Sequence, residues 1–204
     1  MKRASIAVVI ASILWFVMFS PLTKGFYNFW SVMSFSAVIL TALGFAFGNG
    51  WKGRFRVNVK DVFTGIASAA VLYGVFYVGN ELSGRLFDFS GAQVDSVYAL
   101  KEGQNPVILL PVLLFLVGPA EEIFWRGYIQ RTLAGRWGRV VAVAVTTLLY
   151  ASVHIWSFNF MLIMAALVCG IFWGTLYALN KSLPAVLISH ALWDAAVFIL
   201  FPFS

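Results

Sequence analysis

The chain reads as an all-α, polytopic membrane bundle of about seven spans, and three observations lead there. Its 204 residues are 61% hydrophobic and only 11% charged. A soluble domain carries about 25% charged residues. Apolar stretches recur at roughly 4–22, 27–48, 61–80, 105–130, 139–157, 159–179 and 184–203, each near the ~20 residues that cross a bilayer as helix. Fourteen basic residues distribute unevenly over the connecting segments.

The first stretch follows Met1-Lys2-Arg3 as a signal peptide would. It is span-length, and no small-x-small cleavage site follows it cleanly, so it is read as a helix. With the N-terminus in the cytoplasm, inner segments hold Lys2, Arg3, Lys52, Arg54, Arg56, Lys60, Arg126, Arg131, Arg136, Arg139 and Lys181. Outer loops hold only Lys24, Arg85 and Lys101. Eleven against three is a positive-inside bias. The outer loop 81–104 also carries Glu81, Asp88, Asp95 and Glu102, and the C-terminus Phe201-Pro202-Phe203-Ser204 falls outside. The +6 charge is therefore a topology signal, with no nucleic-acid partner implied. The expected setting is an integral protein of a prokaryotic plasma membrane.

The helices carry packing signals too. Gly44-x-x-x-Gly48 and Gly170-x-x-x-Gly174 are small-residue spacings that let helices approach closely. Trp30, Trp51 and Trp137 fall near helix ends, as an aromatic belt would. Cys169 is the only cysteine, which excludes an intrachain disulfide and a cysteine zinc site.

Against this background the buried ionisable groups stand out. Both histidines, His154 and His190, and three of the eight carboxylates, Glu121, Glu122 and Asp194, lie inside span-length stretches. Such groups cost about 2.5–3.5 kcal/mol each on insertion scales. Glu121 and Glu122 are helix neighbours, so their side chains diverge by about 100°. Glu122 pairs with Arg126 at i,i+4, a site-shaping role. Glu121 faces elsewhere with no local cation, which suits a general base or acid. Gly118-Pro119 just before it interrupts the backbone ladder at membrane depth. Tyr150 lies one turn before His154, and its expected role is packing. His190 and Asp194 share a face at i,i+4. A water between Glu121 and His154, with His190 and Asp194 at the oxyanion, would have the parts of a hydrolytic site.

Glu121-Glu122-x-x-x-Arg126, then Tyr150-x-x-x-His154, then His190-x-x-x-Asp194, resemble in order the three motifs of the CPBP family. This is the group of CAAX prenyl protease 2-like (Rce1-like) and bacteriocin-processing (Abi) intramembrane proteases. Phe124-Trp125-Arg126-Gly127 and Leu183-Pro184 fit the same context, and the resemblance covers about residues 108–198. It implies a glutamate-dependent endopeptidase with Glu121, His154, His190 and Asp194 catalytic, and Glu122, Arg126 and Tyr150 shaping the site. Two positions depart: Tyr150 stands where the family usually has Phe, and Asp194 where Asn is frequent. An ionised Asp cannot donate to an oxyanion, so Asp194 is either protonated or orients His190. The resemblance divides the chain into three N-terminal helices with an outer loop, 1–104, and a CPBP-like four-helix core, 105–204.

The implied substrate is a membrane-anchored peptide or protein in the lipid bilayer. No cofactor is expected; the alternative is a divalent metal such as zinc on Glu121, His154 and His190, with Asp194 a further N/O-type ligand. The H-E-x-x-H signature is missing. A different class, a proton-coupled transporter or an immunity or scaffold protein on an inactive protease fold, would use the same buried groups. The paired broken-helix repeats frequent in transporters are not found.

Overall fold

The computed structural model describes residues 1–23 and 25–203. Lys24 and Ser204, counted above with an outer loop and the C-terminus, lie outside the described residues. Among the described residues seven helices are long and apolar enough to cross a membrane: α1 (Lys2–Phe19), α2 (Phe29–Phe47), α3 (Val59–Leu86), α5 (Pro106–Trp137), α6 (Arg139–Ser157), α7 (Phe160–Asn180) and α8 (Leu183–Leu200). A short α4 (Ser90–Tyr98) lies between α3 and α5. No strand occurs among the described residues. The protein is an all-α polytopic bundle.

Local chemistry starts these helices. Asn28, Asn58, Asn105, Asn159 and Ser182 each accept a backbone N–H of the first turn. Each such cap contributes about 1 kcal/mol and satisfies one orphan donor. Asn58 and Asp61 bond reciprocally as a capping box. Pro106 and Pro184 occupy first-turn positions, where a missing N–H costs nothing. Between α5 and α6 the chain reverses at Gly138, whose φ of 78° is open to glycine at no steric cost.

Three expectations change. The loop from residue 81 begins later, because α3 runs on to Leu86; Glu81 and Arg85 lie on its last turns, 4.0 Å apart. The fourth span runs to Trp137, since Arg131–Trp137 continues the helix without a break. Arg126 does not sit in a cytoplasmic segment. It is fully buried, because Glu122 pairs with it inside the bundle. The charge asymmetry remains without it.

Close backbone approach brings the helices together. A Cβ on Gly65 of α3 would lie 2.6 Å from Ile188 Cγ2 of α8. One turn on, Ser68 donates to Ser189 Oγ at 2.9 Å. Gly44 of α2 rests on Ile123 of α5, and Gly170 of α7 on Thr147 of α6. The Gly170/Gly174 pair thus serves helix packing, whereas of the first pair only Gly44 does: Gly48 caps the end of α2 and lies against Trp51. Trp30 differs from a lipid-facing belt residue: it is buried and donates to the Leu100 carbonyl at 2.8 Å.

The two ends of the bundle differ in charge. Arg3 lies over Phe47, Arg131 donates to the Asn49 carbonyl, and Arg54 donates to Tyr177 at 3.0 Å. These contacts gather the helix ends and loops rich in lysine and arginine. At the opposite end Phe203 N–H donates to Tyr98, and Asn159 donates to the Gln93 carbonyl.

Candidate active site

Helix α5 is wound irregularly where the acidic pair lies. Gly118–Glu122 is α-helical, but π turns precede it at Leu113–Val117 and follow it at Ile123–Gln130. Such bulges free carbonyls and re-aim side chains, and they collect at functional sites. Pro119 opens the short α segment at its first turn, as the Gly-Pro pair suggested. Gly118 has a separate purpose. A Cβ there would lie 3.1 Å from Ala191 N and 3.3 Å from Asp194 Oδ2, so glycine gives α5 its close approach to α8 here.

Glu121 and Glu122 point to different partners. Glu121 Oε2 accepts the Tyr150 hydroxyl at 2.8 Å. The Tyr150 carbonyl in turn accepts the His154 Nδ1 proton at 2.7 Å. Tyr150 therefore links the acid to the imidazole through its two oxygens. With Nδ1 protonated, His154 Nε2 is free to accept, and the Trp15 indole N–H donates to it at 3.1 Å. No hydrogen bond joins Glu121 directly to either histidine among the described residues.

Glu122 is the hub of a second network. Its Oε1 accepts from Arg126 Nη1 and from His190 Nδ1, both at 2.8 Å. Arg126 also donates to the carbonyls of Cys169 and Gly170 at 3.3 and 3.4 Å. One turn later Gln130 donates to the Gly174 carbonyl at 2.8 Å. The glycine pair of α7 thus exposes the carbonyls that anchor α5. The Arg126 guanidinium faces the rings of Tyr150 and Trp173 at 5.1 and 5.7 Å, a favourable cation–π setting. Trp173 stacks on His190 with centroids 3.7 Å apart and planes within 18°. The other imidazole nitrogen, Nε2, lies 3.5 Å from Asp194 Oδ2.

One cavity of about 490 Å³ contains Glu121, Tyr150, His154, His190 and Asp194 on its wall, with Cys169 and Trp173 beside them. Glu122 and Arg126 lie behind that wall, with no exposed surface. Ligand sites characteristically take this form, an apolar concavity with few convergent polar groups. Every site residue singled out in the sequence therefore lies in or directly behind one cavity, contributed by α5, α6 and α8.

Among the described residues no three His, Cys, Asp or Glu side chains are grouped to hold an ion. Metal ligation needs an imidazole lone pair. That of His154 accepts from Trp15, and the His190 nitrogens face Glu122 and Asp194.

Sequence reasoning left out Trp15, Trp173 and Ser189. Trp15 is one of eight tryptophans in an apolar helix, and no local pattern marks it. Its position 139 residues from His154 makes the contact purely tertiary.

The fold and this centre define an integral membrane protein with a carboxylate–imidazole site enclosed by helices. Residues 103–196 match the family model described as type II CAAX prenyl endopeptidase Rce1-like. The match spans all three motifs and bears out the CPBP resemblance, so over this segment the chain is similar to the Rce1-like endopeptidases. It supports a CAAX-type intramembrane endopeptidase, a membrane-embedded enzyme acting on a protein substrate. No curated protein and no solved structure matches the chain.

Proposed function

We propose that the protein hydrolyses a peptide bond in a membrane-tethered substrate, with Glu121 as the water-activating carboxylate and no metal. The observation that carries this reading is the single cavity holding Glu121, His154, His190 and Asp194. Glu121 has one oxygen on Tyr150 and the other without a protein partner among the described residues. That second oxygen accepts a proton from a cavity water while the hydroxide equivalent attacks the scissile carbonyl. The carbonyl π electrons pass to oxygen, forming the tetrahedral oxyanion. Collapse breaks the C–N bond, and Glu121 returns the proton to the leaving amine.

His154 lines the same cavity and shares the water when the Trp15 indole yields Nε2. His190 stabilises the oxyanion. Its Nδ1 is anchored on Glu122, its ring is clamped by Trp173, and its Nε2 points toward Asp194 and the cavity. Facing two carboxylate oxygens, the ring acts as a donor at both nitrogens. Asp194 then orients it. A preorganised donor of this kind is worth about 3–4 kcal/mol at the transition state. The three N-terminal helices supply cavity wall and positioning, and residues 105–204 the chemistry.

The test compares peptides released from isolated membranes holding wild type or Glu121→Gln, read by mass spectrometry, with the variant's folding verified. A peptide found only with wild type supports proteolysis. Identical peptide sets from membranes that contain the native substrate refute it and favour a proton-carrying or scaffold role.

A further inference from the structure

The cavity is confined to one half of the bundle. Its wall comes from Phe19 at the end of α1, the first turns of α2, the second half of α3, the first halves of α5 and α7, and the final turns of α6 and α8, with Val94, Val97 and Tyr98 of α4 over the outer end. All of these lie toward the end opposite the basic one. The floor is at mid-depth, at Glu121, Trp173 and His190. Below it, toward the basic end, Phe124, Trp125, Arg126 and Gln130 are buried and close the bundle. Phe87, just past α3, packs on Phe160 of α7 with ring centroids 5.8 Å apart, and below that contact the rim consists of Val75 and Leu82 on α3 and Met164 on α7, all exposed. The mouth therefore faces sideways, between α3 and α7, in the half away from the positive charge.

Charge sets which half that is. The closed end carries Lys2, Arg3, Arg54, Arg131, Arg136 and Lys181, among others. The open end carries Arg85 and Lys101 against Glu81, Asp88, Asp95 and Glu102. Lys101 is moreover engaged by the Phe198 carbonyl at 2.7 Å. Short-loop lysine and arginine are retained on the cytoplasmic side.

We propose that substrate enters laterally between α3 and α7 from the non-cytoplasmic leaflet, so that the enzyme cuts membrane-tethered segments presented on the outer side. This rests on the proteolytic reading above and deepens it. The occupant is an extended peptide with apolar side chains around the scissile bond. No lysine or arginine lines the cavity, whereas Glu121 and Asp194 do. An acidic residue next to the cut is disfavoured.

Two measurements on the full-length protein in sealed cells decide it. In the first, Leu86→Cys and Arg136→Cys are treated with a membrane-impermeant maleimide, with wild type as background for the buried Cys169. Leu86→Cys labels in intact cells and Arg136→Cys only after permeabilisation; the reverse pattern overturns the proposal. In the second, soluble fragments that depend on Glu121 are collected separately from the medium and the cell interior. The proposal expects them in the medium. Recovery only from the interior, with loss in Glu121→Gln, overturns the entry side and leaves proteolysis standing. Identical peptide sets in wild type and Glu121→Gln refute proteolysis and the entry side together.

Discussion

Arg126→Met isolates what the buried Glu122 network contributes to the fold. Arg126 and Glu122 are 2.8 Å apart with no solvent exposure on either. Removing one partner of a buried pair costs roughly 3–5 kcal/mol, because the other is left uncompensated. Here Glu122 keeps one donor, His190 Nδ1 at 2.8 Å, so the expected loss is about 3 kcal/mol, at the lower end of that range. The carbonyl contacts of Arg126 are long and add little beyond it. Methionine keeps the stem volume, so cavity formation is minor. Equilibrium unfolding in detergent micelles, followed by far-UV circular dichroism, measures the loss. In a Glu122→Gln background the same substitution should cost less by roughly 1–3 kcal/mol, the coupling energy of a contacting pair. A loss under about 1 kcal/mol, the scale of an ordinary exposed pair, would refute the argument. So would an equal loss in both backgrounds.

The remaining predictions concern the cavity. Gly118→Ala places a methyl against the Ala191 backbone and Asp194 Oδ2; overpacking there costs about 1–3 kcal/mol. Cleavage should fall much further than the melting temperature suggests, and a variant as active as wild type would show that α5 and α8 can separate freely. Tyr150→Phe removes the 2.8 Å donor to Glu121. A hydrogen bond to a charged acceptor is worth about 1.5–3 kcal/mol, so the melting temperature should fall, while cleavage persists because the bond is made in the ground state and phenylalanine is usual here in the family that the chain resembles. Loss of cleavage without loss of stability would mean that the hydroxyl takes part in the chemistry. Extensive dialysis against a strong chelator should leave cleavage unchanged, with elemental analysis reporting no stoichiometric metal; loss of activity restored by added zinc would refute the metal-independent reading.

How much of this was legible in the chain differs from element to element. The seven spans were readable because bilayer thickness sets helix length and composition must follow it. The caps at Asn28, Asn58, Asn105, Asn159 and Ser182 are local as well, since each bonds within its own first turn. The Glu122–Arg126 pairing and the His190–Asp194 face follow from helical spacing alone. The family was legible because three motifs with chemical side chains recur in order within apolar sequence, where polar groups are costly.

Contacts between distant segments were not legible. Helical spacing places Glu122 near Arg126, but only the α5–α8 crossing brings His190 to the same oxygen. Tyr150 was expected to pack, and tertiary structure made it the link between Glu121 and His154. Trp15 reaches His154 from a helix with no motif. Local sequence determined which segments are helices, where they start and which residues share a face, because those depend on interactions a few residues apart. Tertiary structure alone decided which groups share a cavity and toward which end it opens, because both depend on helices that meet only after the chain has crossed the membrane several times.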